Sequence, residues 1–317
     1  MKIAVMGAGG IGGYVGGRLA EAGEDIWLVA RGAHLAALKA HGLAIESPHG
    51  NVALPNIRAV AKPCEIGPVD LVLFTVKLTD ADAAARALVP IVSPQTRIVT
   101  LQNGVDGKDI VGRHVDPAQV AAGMIYLAAY IKAPGIIINP GGVHRMVIDR
   151  MGDDAAMAAF FAACESAIGI EAQPTDDIAH ALWDKFIVLT AFAGATCIAR
   201  LPIGAVCRQK ETLDFMRQLI VETIAVARAM GQDFDDAHAE RVIALARNQP
   251  YEQKASMLVD LEAGRPLELP WFHGKVAALG ARFGIATPAS SAVLAALAPH
   301  VDGRPQLERN LTAGAQT

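Results

Sequence analysis

The sequence predicts an α/β protein in which a doubly wound, largely parallel sheet is followed by an all-helical domain. Up to about residue 174, short β-branched runs alternate with alanine-rich helical stretches, and beyond it the strand signals disappear. The length of 317 residues exceeds one ordinary hydrophobic core and favours two domains. Pro174 and the N-cap candidates after it predict a boundary between residues 1–174 and 175–317.

The strands of the first domain are predicted from short apolar runs rich in β-branched residues. In chain order, these runs are Lys2–Met6, 25–30, 70–76, 97–101 and 120–131. Two further stretches, 43–54 and 136–148, contain the turn signals Pro-His-Gly-Asn and Pro-Gly-Gly, which are typical of hairpins. The predicted sheet is therefore mixed, with antiparallel additions to a parallel centre.

The second domain is predicted to be helical because its apolar residues recur at the spacing of one helix face. The predicted helices span 177–200, 211–230, 237–248, 253–263, 271–283 and 289–297. The helix 211–230 has enough apolar residues to serve either the protein interior or the face of a homodimer. Residues 311–317 are predicted to be a frayed tail.

The composition excludes several functional classes. The chain is 52% hydrophobic and 19% charged, with a mean hydropathy of +0.32, as expected for a globular protein with ample core. At a net charge of −4, no basic field favours nucleic acid or an anionic membrane as a partner. The N-terminus lacks a signal sequence, and the longest apolar stretch, 186–198, is shorter than the roughly 20 residues of a spanning helix. A cytoplasmic protein is expected.

No metal site or disulfide is predicted. The four cysteines are widely spaced and form no C-x-x-C pair, so reduced structural thiols are expected. Neither His144 nor His180 has partners at metal-ligand spacing. Both histidines are expected to be structural or solvated.

A glycine-rich motif follows the first strand immediately and opens a helical stretch. It reads Gly7-Ala8-Gly9-Gly10-Ile11-Gly12 and matches the dinucleotide-binding pattern G-x-G-x-x-G in the required context. The first glycine permits a tight turn, the second lets the backbone approach a pyrophosphate, and the third allows close packing of helix on strand. The motif predicts a Rossmann-type domain whose cofactor contacts include Gly7, Gly9, Gly10, Ile11 and Gly12.

The end of the second predicted strand indicates which dinucleotide is bound. An NAD-binding unit places an acid there to bond the ribose 2′-hydroxyl, but this chain has Ala30 followed by Arg31. Ala30 has no carboxylate to repel a 2′-phosphate, and the planar guanidinium of Arg31 can pair with one. NADPH is therefore the favoured cofactor. The alternative is that Arg31 is an ordinary solvated arginine.

Two other predicted strands end in polar residues. Ligands of open α/β sheets bind outside the carboxyl ends of the strands. The stretch 70–76 is followed by Lys77, which can meet a cofactor or substrate anion. The stretch 97–101 leads to Asn103, which can hydrogen-bond a ribose or a substrate oxygen. Each residue could instead serve only a turn.

The first long helix of the second domain carries a lysine beside much apolar surface. Desolvation of Lys185 could lower its pKa and suit it to proton transfer, whereas a lysine that snorkels to solvent is the alternative. Downstream, Ser256 and Glu268 offer a hydroxyl and a carboxylate that could orient this lysine. Spacing along the chain does not decide whether the three residues converge.

Taken together, these segments resemble the ketopantoate reductase family, the NADPH-dependent 2-dehydropantoate 2-reductases that form pantoate on the way to pantothenate and coenzyme A. The resemblance covers nearly the whole chain. It is carried, in order, by the glycine motif, Arg31, Val76-Lys77, Gln102-Asn103-Gly104, Leu182-Trp183-Asp184-Lys185-Phe186, Ser256-Met257-Leu258 with Asp260, Gly264-Arg265 with Glu268, and Gly284-Ile285-Ala286-Thr287-Pro288.

The resemblance implies a role for each matching residue. Lys185 would be the general acid that protonates the carbonyl oxygen, with Glu268 as its carboxylate neighbour. Asn103 would lie by the nicotinamide ribose and the substrate, and Ser256 would contact the substrate. Lys77, together with the arginine after the second strand, would belong to the cofactor pocket.

The chain departs from the family pattern where the substrate is expected. The family has asparagines four and eight residues after the catalytic lysine, and this chain has Leu189 and Ala193. These positions share a helix side with Lys185, so they are substrate-binding candidates on a face that has lost two amides. Pro270 and His273 replace an aspartate and an asparagine of the family pattern. Reduction of a small 2-oxo acid is expected, with ketopantoate the leading substrate.

Two alternatives remain open at this point. One is another two-domain dehydrogenase of the opine or β-hydroxyacid type, to which the order of Asn103, Lys185 and Glu268 is less well suited. The other is a protein that senses NADPH without catalysis. Loss of catalysis would leave no reason to keep Lys185 and Glu268 in place.

Overall fold

The computed structural model describes residues 1–305, and the predicted tail 311–317 lies outside them. The chain divides into two compact units, Met1–Lys185 and the residues from Phe186 onward. This division falls inside a long helix, Ile178–Ala199, whereas the boundary predicted after residue 174 lies just before that helix. The predicted boundary stays a prediction.

The first unit contains all the described strands and five complete helices. The strands are β1 (Lys2–Met6), β2 (Asp25–Val29), β3 (Leu43–Glu46), β4 (Val52–Leu54), β5 (Arg58–Val60), β6 (Leu71–Phe74), β7 (Arg97–Thr100), β8 (Val120–Tyr126), β9 (Tyr130–Ala133), β10 (Ile136–Ile138), β11 (Arg145–Asp149) and β12 (Glu171–Thr175). The helices are α1 (Gly10–Glu21), α2 (Gly32–His41), α3 (Leu78–Leu88), α4 (Gly107–Val111) and α5 (Ala155–Ser166).

Eight strands form the main sheet, in the order β12-β11-β8-β7-β6-β1-β2-β5. Its neighbours pair in parallel except β8 and β11, which are antiparallel. Met6 at the end of β1 lies opposite Val29 of β2 and Phe74 of β6. Strand order reverses at β1, so the carboxyl ends of these three strands leave a crevice at one edge of the sheet.

A second sheet of four strands, in the order β4-β3-β10-β9, corrects two predictions. The predicted strand 120–131 is divided between two sheets, as β8 and β9. The predicted hairpin 136–148 is wrong, because β10 pairs with β3 and β9 whereas β11 pairs with β8 and β12. Gly141 and Gly142, both at positive φ, lie in the segment that carries the chain from one sheet to the other. The hairpin 43–54 is confirmed by β3 and β4.

The glycines of α1 continue beyond the dinucleotide motif because this helix packs on both sheets. A Cβ on Gly16 would lie 2.8 Å from the Val5 side chain of the main sheet. A Cβ on Gly17 would lie 2.5 Å from the Ile45 side chain of the second sheet. Both distances are shorter than ordinary van der Waals contact, so a larger residue at either position would require the strand side chains or the helix to shift.

The regular elements described in the second unit are all helices, as predicted. Its helices are the later part of α6 (Ile178–Ala199), α7 (Ile203–Arg208), α8 (Lys210–Ala229), α9 (His238–Arg247), α10 (Ser256–Ala263), α11 (His273–Phe283) and α12 (Pro288–Leu297). The six predicted helices match within three residues at each end. The short α7 was not predicted, because six residues are too few to show a helical period.

A buried carboxylate joins two of these helices. Glu222 of α8 accepts hydrogen bonds from the backbone N–H groups of Ala289 and Ser290, at 2.7 and 2.8 Å, and from the Ser290 hydroxyl. These donors belong to the first turn of α12, where intrahelical partners are missing and a negative charge is favourable. Glu222 therefore caps α12 from a distant part of the chain.

Helix α6 begins before the apolar stretch 186–198 and is longer than that stretch suggested. Among the described residues it is the one helix long and apolar enough, by length and composition alone, to cross a membrane. More than half of its most apolar segment is buried inside the protein, which is typical of a core helix. Asp184 and Lys185 also interrupt its apolar surface.

Candidate active site

A cavity of about 650 Å³ opens in the first unit at the carboxyl ends of β1, β2 and β6. Its lining comes from the glycine loop, the start of α2, the segment after β5 and the start of α3. The polar and flexible residues among this lining are Gly7, Gly9, Arg31, His34, Lys62, Cys64, Thr75, Lys77 and Asp80. The crevice expected from strand order is therefore present, and four of the eight predicted cofactor residues line it, namely Gly7, Gly9, Arg31 and Lys77.

The glycine loop is held in a tight turn whose outer side is open. Gly7 has a φ of +101°, and a Cβ there would lie 2.8 Å from the Val76 side chain. Its carbonyl oxygen accepts hydrogen bonds from the Thr75 hydroxyl at 2.9 Å and the Gly9 N–H at 2.8 Å. A Cβ on Gly9 would meet no atom within 4 Å, so a ligand could approach the backbone closely at this residue. This open backbone fits a pyrophosphate.

The other members of the motif pack against protein. A Cβ on Gly12 would lie 2.3 Å from the Gly7 carbonyl oxygen, which is the close helix–strand approach expected of the third glycine. A Cβ on Gly10 would lie 2.0 Å from the carbonyl oxygen of Ala129, just before β9. Ile11 is half-buried and packs against the core. Cofactor contact by Gly10 and Ile11 stays a prediction.

Two oppositely charged residues face each other at the cavity. Arg31 Nη2 lies 2.7 Å from Asp80 Oδ2, with side chains 78% and 47% exposed. Asp80 belongs to the first turn of α3, and Lys77, which is exposed, immediately precedes that helix. The predicted cofactor residues Arg31 and Lys77 therefore line one cavity. Nothing in the sequence singled out Asp80, because it comes 49 residues after its partner.

Lys185 is fixed at the carboxyl ends of β7 and β8 in the main sheet. Its Nζ donates hydrogen bonds to Asn103 Oδ1 at 2.9 Å and to the Ile125 carbonyl oxygen at 2.7 Å. The same nitrogen lies 5.5 Å from the centre of the Tyr126 ring. Lys185 is half-buried and oriented by two acceptors, so it does not snorkel to solvent. The structure brings Lys185 and Asn103 together, as the candidate chemistry requires.

Tyr126 is a neighbour of this lysine that the sequence did not indicate. Burial raises the pKa of its hydroxyl, the charge of Asp184 adds to that rise, and the charge of Arg145 opposes it. The Arg145 guanidinium lies 5.5 Å from the ring centre. The Tyr126 hydroxyl therefore stays protonated at neutral pH, and its ring makes a cation–π contact with the Lys185 ammonium.

The remaining site candidates belong to the second unit. Glu268 is buried, and its backbone carbonyl accepts hydrogen bonds from Trp271 and Phe272. Ser256 is exposed at the start of α10. Leu189 is half-buried and Ala193 fully buried on α6. Their contacts with a substrate stay predictions.

His273, one of the departures from the family pattern, is part of the packing between α11 and α6. The residue is fully buried, and its Nε2 lies 3.0 Å from the Thr190 carbonyl oxygen. A Cβ on Gly194 would lie 2.5 Å from the same nitrogen, so the ring occupies space that only a glycine leaves open. Burial lowers the pKa of His273 to about 4, and the neutral ring donates to Thr190.

Comparison with known proteins agrees with this architecture. The family model described as ketopantoate reductase PanE/ApbA matches residues 3–152, and its C-terminal counterpart matches residues 177–300. A 2-dehydropantoate 2-reductase of Mesorhizobium japonicum is 30% identical, with 93% of this chain and 96% of the relative covered. The chain belongs to the ketopantoate reductase family. It is accordingly an oxidoreductase.

Other relatives of the ketopantoate reductase family support the same membership. A 2-dehydropantoate 2-reductase of Caulobacter vibrioides is 31% identical over 93% of this chain and 98% of its own length. The crystal structure of a PanE/ApbA family ketopantoate reductase from Ralstonia eutropha JMP134 superposes with a TM-score of 0.87 at 34% identity, covering 95% of this chain and 99% of that chain. A D-mandelate dehydrogenase solved with NADH and anilino(oxo)acetate shares the fold at 22% identity, with a TM-score of 0.86 and coverage of 95% and 98%.

Proposed function

We propose that this protein reduces a 2-oxo acid to a 2-hydroxy acid with NADPH, and that 2-dehydropantoate is the leading substrate. The observation that carries the proposal is the Lys185 ammonium, held by Asn103 Oδ1 and the Ile125 carbonyl oxygen at the carboxyl edge of the sheet. Pantothenate biosynthesis in the cytoplasm follows as the setting. The protein acts on a small molecule, without nucleic acid or membrane, and α8 is the candidate face of a homodimer.

Lys185 serves as the proton donor in this proposal. The Asn103 Oδ1 atom and the Ile125 carbonyl oxygen orient its ammonium. The substrate carbonyl oxygen takes a proton from Nζ as it becomes a hydroxyl, and Lys185 then regains a proton from solvent. NADPH, when bound, supplies the hydride for the carbonyl carbon. Glu268 and Ser256 are proposed substrate-side residues on the family pattern.

The first unit supplies the residues that would hold NADPH. The open backbone at Gly9 suits the pyrophosphate, and the cavity of about 650 Å³ extends from it to Arg31 and Lys77. Both cations suit a 2′-phosphate, and Ala30 leaves the end of β2 without a carboxylate. These features support NADPH over NADH.

A second candidate function is reduction of a more apolar 2-oxo acid. The side chains of Leu189 and Ala193 have no hydrogen-bonding group for a substrate hydroxyl. A site without such groups gives little preference to a substrate that carries the hydroxyl over one that lacks it. The D-mandelate dehydrogenase of the same fold is named for an aryl 2-hydroxy acid. Aryl and branched 2-oxo acids therefore belong in the same substrate panel as ketopantoate.

The test is NADPH oxidation with a panel of 2-oxo acids, using wild type, Lys185→Ala and Lys210→Ala. Lys210 is an exposed lysine at the start of α8 and serves as the matched control. We expect Lys185→Ala to lower kcat by about 100-fold or more on the best substrate, with Lys210→Ala close to wild type. Near-wild-type turnover in Lys185→Ala would refute the catalytic assignment. Cofactor binding without turnover on any carbonyl would instead support a sensor of NADPH.

A further inference from the structure

The ion pair between Arg31 and Asp80 places a carboxylate beside the cation that would select the cofactor. Arg31 follows β2 as the residue before α2, and Asp80 lies in the first turn of α3. The guanidinium Nη2 and the carboxylate Oδ2 are 2.7 Å apart, and both residues line the cavity. A phosphate that binds this guanidinium competes with the Asp80 carboxylate for it.

The two side chains have opposite effects on the two nicotinamide cofactors. A 2′-phosphate carries nearly two negative charges, so Arg31 attracts it and Asp80 repels it. The ribose of NADH carries a 2′-hydroxyl in that place, and a carboxylate is the usual acceptor of this donor in Rossmann domains. In those domains the acid ends the second strand, whereas Asp80 reaches the same region from the helix after β6.

The other charged groups around the cavity favour the phosphate. Lys62 and Lys77 also line it, so three cations face one carboxylate. Burial lowers the pKa of His34, which also lines the cavity and is therefore neutral at pH 7. NADPH stays the better cofactor on this balance, and Asp80 reduces its advantage.

We infer that Asp80 is a specificity-determining residue, which allows the cavity to bind NADH as well and limits the preference of the protein for NADPH. The inference rests on the proposed function, since it takes the cavity to be the dinucleotide site. The exposed ion pair opens at little cost, because solvent screens both partners. Arg31 can then turn to a 2′-phosphate, or Asp80 can accept a 2′-hydroxyl.

The test is calorimetric titration of NADPH and NADH into the intact protein without substrate. The variants are Asp80→Asn, Arg31→Ala and, as matched control, Asp82→Asn. Asp82 lies on the same helix, pairs with Arg86 and His114, and is absent from the cavity lining. We expect Asp80→Asn to tighten NADPH binding about fivefold and to weaken NADH binding. Asp82→Asn should leave the ratio of the two Kd values unchanged, and Arg31→Ala should weaken NADPH binding more than NADH binding.

The outcomes separate this inference from the proposed function. An unchanged Kd ratio in Asp80→Asn, or the same change in Asp82→Asn, overturns the role of Asp80. Wild type that binds neither cofactor overturns both proposals. Wild type that binds both cofactors but reduces no carbonyl overturns the proposed reaction alone, and the titrations then still decide the role of Asp80.

Discussion

The Lys185 Nζ atom lies 2.9 Å from Asn103 Oδ1, although the two residues are 82 positions apart in the chain. This hydrogen bond joins α6, about two turns from its start, to the loop after β7. It orients a lysine that a helix surface would otherwise leave free to rotate through many rotamers. We therefore expect catalysis to depend on where the Lys185 ammonium is held, and not only on its presence.

Replacing Asn103 with alanine removes the Oδ1 acceptor that helps to orient the ammonium. We expect kcat to fall about tenfold or more, since misplacing a proton donor weakens catalysis without abolishing it. The measurement is steady-state NADPH oxidation, with the exposed Asn248→Ala as control. Unchanged kcat in Asn103→Ala would show that this hydrogen bond does not position Lys185 for catalysis.

Two adjacent glycines of the dinucleotide motif are expected to affect different properties, Gly9 the binding of NADPH and Gly10 the stability of the fold. Gly9 has a φ of −75° and open space at its Cβ position, whereas a Cβ on Gly10 would lie 2.0 Å from the Ala129 carbonyl oxygen. We expect Gly9→Ala to keep the melting temperature but weaken NADPH binding, and Gly10→Ala to destabilise the fold by about 3 kcal/mol. Thermal unfolding and NADPH titration of both variants check this. If Gly9→Ala binds NADPH with wild-type affinity, the pyrophosphate does not bind at this loop.

His273 should make the stability of the protein depend on pH. Burial lowers its folded pKa to about 4 from an ordinary 6.5, so the unfolded chain takes up a proton first as pH falls. The contribution of the neutral ring is complete above pH 6.5, is lost as pH falls toward 4, and amounts to about 2 kcal/mol between pH 8 and pH 5. We expect urea unfolding to show this loss in wild type and not in His273→Asn. Equal losses in both proteins would contradict it.

The cysteines should differ sharply in their reactivity toward iodoacetamide. Cys64 is exposed and lines the cavity, whereas burial raises the pKa of Cys164 and of Cys197 to about 12. The thiolate is the reactive form, so we expect alkylation at Cys64 first and protection by saturating NADPH. Peptide mass spectrometry before and after NADPH addition measures this. Early alkylation of Cys164 or Cys197 would show that the native core opens. If NADPH leaves the labelling of Cys64 unchanged, the cofactor does not bind beside Cys64 in this cavity.

Much of the fold was predictable because its signals are local. The glycine motif after β1, the alternation of strands and helices, and the helical second unit follow from turn chemistry and from hydrophobic period. The polar ends of β6 and β7 were also predictable, since the carboxyl edge of a parallel sheet is where ligands bind. Lys185 stood out because a lysine beside so much apolar surface needs a partner.

Sequence alone determined that this chain has a dinucleotide-binding half and a helical half, with an arginine, an asparagine and a lysine in the chain order of the reductase family. Only the tertiary structure decided which strands share a sheet, that Asp80 faces Arg31, and that His273 fills the space beside Gly194. The physical reason is that periodicity and turn residues act over a few neighbours. Arg31 and Asp80 are 49 residues apart, and Asn103 and Lys185 are 82 apart. Such pairs meet because whole helices and strands pack together, and a local sequence pattern does not predict that packing.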